Sequence, residues 1–285
     1  MLVSRIKIIL EILGNFFTRY NHITKSEKFK KIYKFNLIYF FNDKVSREIS
    51  IRGIFDYDQL FTTIKFFKKK RIFIDVGANI GNHSIFYSKY FKKILSFEPS
   101  KISFKVLSLN VENLKNIKIF NFGLSNISKK FYFDDKATKN VAGLKFKKKG
   151  KIPVKAEVFD KKFKELKNID LVKIDVEGHE LNVIEGMKKT LKNNSPLLII
   201  EFDPFKYRNS KLIRKIKKFG YQHIYYFVNT NNEDKIRLRQ LPWTILRTLL
   251  FGRKKSKVYI RSFENLNFSN TIMRDNILCS KKKLV

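Results

Sequence analysis

Residues 71–84 read RIFIDVGANIGNHS, an apolar run that closes on Asp75, a turn carrying Gly77 and Gly81, and a segment of helical spacing behind it. An apolar run ending in an acid and turning over glycines into a helix is the opening unit of an α/β domain. Gly77 can adopt the positive φ of a tight turn and admit a ligand to the backbone. Gly81 opens the helix with its N–H groups toward that ligand. Asp75 can accept a hydrogen bond from an ammonium group or anchor the turn.

Working outward, strand and helix alternate. The patterning predicts strands over 71–76, 93–98, 117–122, 169–176, 196–202 and 221–228, and helices over 81–91, 100–113, 160–166, 179–192 and 210–219. Near-solid apolar strands between amphipathic helices predict a mostly parallel sheet covered on both faces, with ligands beyond the carboxyl ends of its strands. Residues 129–158 are β-like and lysine-rich, which predicts hairpin strands inserted over the site. Ahead of the domain, the runs 31–41 and 45–51 flank Asn42-Asp43 and predict a hairpin, preceded by an amphipathic helix over 2–20. The expected organisation is an N-terminal helix and hairpin addition (1–67), the main domain (68–230) and a C-terminal extension packing on or capping it (231–285).

A formal net charge of +36 ordinarily points to nucleic acid, an anionic membrane surface or a polyanionic substrate. Here Lys, Asn, Ile, Phe and Tyr crowd the chain while Gly numbers 11 and Pro 5, the usage of an A/T-rich coding sequence. The lysines fall in scattered groups such as 68–70, 147–149 and 281–283, without an RNA-binding signature, so nucleic acid is disfavoured as a partner. The single cysteine, Cys279, excludes an intramolecular disulfide and a cysteine-built zinc site. No signal peptide or membrane-spanning run is read, since Lys7 and Glu11 interrupt the first apolar stretch. The expectation is a cytoplasmic protein. The basic amphipathic segments at 2–20 and 240–250 leave open a peripheral contact with the inner face of the membrane. The oligomeric state is not legible.

Glu98, in LSFEPS, ends the second strand 23 residues after Asp75, where an acid suits the paired hydroxyls of a ribose. A nucleoside-bearing cofactor follows, either a dinucleotide or S-adenosylmethionine. The order D-x-G-x-N-x-G, rather than the G-x-G-x-x-G that wraps a pyrophosphate, favours S-adenosylmethionine, whose amino group needs an acid. A later block, LVKIDVEGHE over 171–180, gathers Asp175, Glu177 and Glu180 at a strand end and helix start; ordinary capping would use the same residues. His179 is a candidate general base beside Asp175, with Glu201 in IIEFDP as another acid at the same edge; a packing histidine is the competing reading. Hard oxygen ligands suit magnesium, but the spacing of these acids does not require a metal.

Together VGANIG, SFEPS, NFGLS at 121–125 and IDLVKIDVEGHELNVIEG at 169–186 resemble the FkbM family of S-adenosylmethionine-dependent methyltransferases, over roughly residues 54–202. The resemblance implies a Rossmann-like methyltransferase fold acting on a hydroxyl oxygen of a sugar, polyketide or related metabolite. It implies further that Asp75, Gly77, Asn79 and Gly81 line the methionine end of the cofactor, Glu98 its ribose and Asn121 to Gly123 its adenine. Asp175 and Glu177 would face the transfer centre. Gly123 departs from the pattern, which has alanine there. An RNA methyltransferase and a non-catalytic membrane-surface protein are the alternatives.

Overall fold

The computed structural model describes residues 23–26, 37–40, 45, 49, 53–133, 144–202, 211–229, 258–263 and 273–285. The expected helix over 2–20, the segment 240–250 and Asp203 lie outside them.

The opening run forms β3 (Ile72–Val76), and its alternate residues serve two cores: Phe73 packs on one face of the sheet, Ile74 and Val76 on the other. β4 (Lys93–Phe97) and β5 (Ile117–Phe120) add in parallel on one side of β3; β9 (Ile169–Ile174) and β10 (Leu197–Glu201) add in parallel on the other. Strand order therefore switches direction at β3/β9. Beyond β10 come β13 (Met273–Ser280), β11 (His223–Asn229) and β12 (Val258–Ser262), with β13 antiparallel to both of its neighbours. The result is an eight-stranded, mixed, mostly parallel sheet, the α/β architecture expected. The strands of the C-terminal segment lie within it, and β13 fills the gap between β10 and β11.

Helices cover both faces. Leu60, Ile85, Tyr87 and Leu107, from α1 (Tyr57–Ile64), α2 (Asn82–Ser88) and α3 (Lys101–Val111), pack with Phe73, Leu171 and Ile199. Val183, Leu191 and Ile216, from α5 (Glu180–Gly186), α6 (Lys188–Asn194) and α7 (Lys211–Lys218), pack with Ile74, Val172 and Ile200 opposite. A short α4 (Phe159–Lys162) adds Phe159 to the second core. The phenylalanines gather in both: Phe67, Phe73, Phe86 and Phe91 meet around Tyr87, and Phe97, Phe120, Phe159 and Phe163 form a second aromatic group. That is where much of the unusual Phe content goes.

β7 (Lys129–Phe133) and β8 (Ile152–Glu157) pair antiparallel, and β6 (Gly123–Leu124) joins β8 to make a separate three-stranded sheet, so the inserted hairpin expected over 129–158 is present. The N-terminal hairpin is registered differently from expectation. β2 (Leu37–Phe40) pairs with the earlier β1 (Ile23–Ser26), while Val45 and Ile49 are helical. Apolar spacing over a short run suits a buried helical turn as well as a strand, and Asn42-Asp43 misdirected the assignment. Asn110 of α3 holds β2 in place, accepting from Ile38 N and donating to Ile38 O, both at 2.8 Å. The predicted helix over 179–192 is two helices broken at Met187.

Candidate functional site

The turn after β3 is wired to β4. The amides of Gly77 and Ala78 both donate to Phe97 O at 3.0 Å, Asn79 N donates to Glu98 Oε2 at 2.8 Å, and Gly81 N donates to Ala78 O. Gly77 has φ +81°, and a Cβ there would sit 1.8 Å from the carbonyl oxygen of Asp175. The missing side chain thus makes room for the neighbouring strand's backbone. Asp75 is wholly buried, with Oδ2 accepting from Ser84 Oγ at 2.6 Å, and Ser84 Oγ lies 2.8 Å from Ser96 Oγ. Ser84 thus anchors one oxygen of Asp75, while Oδ1 is buried without a hydrogen-bond partner. Asn79 carries φ +50°, and its Oδ1 is buried without a partner.

Glu98 is 7% exposed and accepts from both Asn79 N and Ser100 N at 2.8 Å. Burial pushes its carboxyl up to about 7, against the pull of the Ser100 and Asn79 amides. A carboxylate offers about four acceptor positions, so two remain for a diol. Asn121 Nδ2 donates to Glu98 O at 2.9 Å and ties the next strand's end to the same corner. Gly123 lies close by in β6, where a Cβ would come within 2.5 Å of the Phe146 ring; that ring fills the space an alanine methyl needs. The set fits an adenosyl amino acid. It offers a carboxylate for a ribose and an unpartnered amide oxygen for an ammonium group, while four turn amides are already engaged and unavailable to a pyrophosphate.

The second half of the site is a row of polar groups across the strand ends. Asp75 and Lys173 are register partners on β3 and β9, and Glu201 and Asn276 are partners on β10 and β13. Continuing the β9–β10 register by one residue sets Asp175 beside Glu201, and one oxygen of each lies within 4.8 Å of the other. Lys173, 2% exposed, reaches Asp175 Oδ2 at 2.9 Å. Burial opposes the lysine's charge, but Asp175 and then Asp75 outweigh it and hold its pKa above the ordinary value. Burial likewise works to raise Asp175, and Lys173 beside it prevails, keeping that carboxylate ionised. Glu201 goes the other way: burial, then Asp175 and Glu177, drive it up to about 9. Glu177 stands at φ +54°, an uncommon conformation for a residue of this type.

His179 is apart from this row. Its Nε2 lies 2.9 Å from Ser125 Oγ, its ring meets Phe131 and Phe146 edge-on, and burial with Lys129 nearby lowers its pKa to about 4. The histidine near the acids is His83, buried, with Nε2 3.6 Å from the Asp56 carboxylate. Gln59 of α1 reaches Asn276, whose Nδ2 lies 3.5 Å from its Oε1. Lys173, Asp56, Gln59 and Asn276 were missed by sequence reasoning. Only Lys173 carried a signal, a charge inside an otherwise apolar strand.

A family model described as "Methyltransferase FkbM domain" matches residues 75–223. The chain is 31% identical over 122 residues to the hexuronic acid methyltransferase AglP of Haloferax volcanii, a match covering 42% of this chain and 51% of that protein, so it spans about half the relative's length. It is 28% identical over 180 residues to the methyltransferase sdnD of Sordaria araneosa, covering 48% and 70% respectively. Among solved structures, the methyltransferase FkbM of Methylobacillus flagellatus aligns with a TM-score of 0.39 at 14% identity, covering 61% of this chain and 47% of that one. The precorrin-6y C5,15-methyltransferase of Geobacter metallireducens aligns with a TM-score of 0.43 at 12% identity, covering 78% and 88%.

Proposed function

This chain belongs to the FkbM methyltransferase family, and on that premise we propose that it transfers a methyl group from S-adenosylmethionine to a hydroxyl oxygen of a sugar, glycan or related metabolite. The observation that carries the reading is the pairing of a turn whose amides are consumed by β4 and Glu98 with an acid row one strand away. Glu98 holds the ribose, Asn79 the amino-acid end and the Asn121 to Gly123 segment the adenine, with Asp75, Gly77 and Gly81 shaping the turn. S-adenosylmethionine, when bound, supplies a methyl already activated on a sulfonium, so the protein's task is to align the acceptor and take its proton.

Asp175, kept ionised by Lys173, accepts the hydrogen bond of the acceptor hydroxyl, and the proton is received by the Asp175–Glu201 carboxyl pair. His179 is neutral near pH 7 and serves as the other candidate base, on the side of the inserted sheet. The sugar class is favoured by the similarity to a protein that acts on hexuronic acid.

Calorimetry with S-adenosylhomocysteine beside NAD tests the cofactor; we expect saturable heat with the first alone. Transfer of a labelled methyl group, offered hexuronic acids, neutral sugars and RNA in parallel, tests the acceptor. Label appearing in RNA faster than in any sugar would overturn the hydroxyl-of-sugar reading.

A further inference from the structure

Asp175, Glu177 and Glu201 come from the end of β9, the loop after it and the end of β10, and one oxygen of each lies within 4.8 Å of the others. Trans oxygen ligands stand about 4.2 Å apart across Mg2+ and about 4.6 to 5.2 Å apart across Ca2+, so the acids need to close by about half an ångström on the smaller ion. Of the three, Asp175 is the acid that the buried ammonium of Lys173 touches, at 2.9 Å.

Asn276 supplies an independent observation. It lies directly opposite Glu201 in the β10–β13 ladder, so its side chain rises from the same face of the sheet next to that acid. The residue is 7% exposed, its Nδ2 turns to Gln59, and its Oδ1 is buried without a hydrogen-bond partner. Leaving a buried carbonyl oxygen without a donor is costly. A cation shared with the acids removes that cost, because an amide oxygen is a neutral hard ligand of the kind such ions take beside carboxylates.

We propose that Asp175, Glu177, Glu201 and the amide oxygen of Asn276 form a binding site for one divalent cation of the Mg2+ or Mn2+ type. The remaining positions of its coordination shell are filled by water and, in turnover, by the acceptor hydroxyl. Bound among the acids, the ion makes a hydroxyl that it ligates more acidic. Each acid needs to give only one oxygen, so the carboxyl pair keeps an oxygen for the hydroxyl's proton. The methyl then passes from sulfur to oxygen, the C–S bond breaking as the O–C bond forms. This role rests on the function proposed above, whereas the binding of the ion does not.

The test is a titration of the full chain with Mn2+, following loss of the free-ion electron paramagnetic resonance signal, with Mg2+ as competitor and no cofactor added. About one ion per chain is expected, unchanged in Glu157→Gln, whose acid is held by Lys155 elsewhere, and weakened at least ~10-fold in Glu201→Gln and in Asn276→Leu. Thermal melts establish that each variant is folded; should Asn276→Leu fail to fold, Glu177→Gln, on the loop, replaces it with the same expectation. Absence of saturable Mn2+ binding, or binding of wild-type strength in Glu201→Gln or in the second variant, overturns the site. Titration of the same samples with S-adenosylhomocysteine separates the two readings. Cofactor binding without Mn2+ binding sinks the ion site alone, and the reverse sinks the transferase reading alone.

Discussion

Glu98 is the residue whose charge is most finely balanced. Burial drives it toward the neutral acid, two backbone amides drive it toward the carboxylate, and the result is a pKa of about 7. A ribose that donates both hydroxyls to this group binds the ionised form, so binding draws the pKa down. Affinity for S-adenosylhomocysteine should be greatest above pH 7 and fall as pH drops through 7, by up to about tenfold per unit. Glu98→Gln should bind about 1 to 3 kcal/mol more weakly and lose that pH dependence. Calorimetry between pH 5.5 and 8.5 would measure both, and a flat wild-type profile would remove Glu98 from the ribose site. Gly77 invites a different test, since its empty Cβ position is taken by a backbone oxygen that cannot swing aside. Gly77→Ala should cost about 2 to 4 kcal/mol of stability, read as a lowered melting temperature, before any question of ligand arises. Sequence alone pointed to Gly77 and Glu98 because turn glycines and strand-end acids have fixed offsets. It could not point to Asn276, which means nothing until strand register sets it opposite Glu201, or to Gln59, which reaches Asn276 from α1.

At the scale of elements, β3, β4, β5, β9 and β10 were legible because a strand covered on both faces reads as an unbroken apolar run. β13 was not: in MRDNILCS the run Arg274, Asp275 and Asn276 breaks the apolar pattern, and only Ile277, Leu278 and Cys279, all buried, have the character of a central strand. Its place between β10 and β11 has a consequence for truncation. Removing residues 273–285 deletes two ladders at once, one to each neighbour, and unpairs backbone groups in the middle of the sheet. Such a truncation should abolish cooperative unfolding altogether, where loss of an edge strand such as β12 should only lower the melting temperature. Circular dichroism melts of the two deletions would decide it; a cooperative transition in the 273–285 deletion would mean that the strand is dispensable. The N-terminal hairpin shows the opposite failure, an Asn-Asp signal too weak to fix which segments pair.

For the molecule as a whole, the charge of +36 is the property most open to misreading. Among the described residues, the exposed large aromatics are Phe61 and Tyr259, so that part of the surface does not show the stacking platform that single-stranded nucleic acid uses. RNA should therefore bind weakly and without sequence preference near physiological salt, with affinity falling steeply as salt rises. A fluorescence titration that found tight binding to one sequence would contradict this. No helix among the described residues is long and apolar enough to cross a membrane. The strand order also sets a timetable. Residues 72–201 supply five parallel strands early in synthesis, yet the gap beside β10 is filled by residues 273–280, and β11 has no neighbour on that side until they arrive. A ribosome must therefore have released everything through Ser280 before the sheet can close, and until then β10 presents an open, apolar edge to the cell. Chaperone dependence, rather than intrinsic instability of the finished fold, is the expected cause of poor yield when this protein is made quickly.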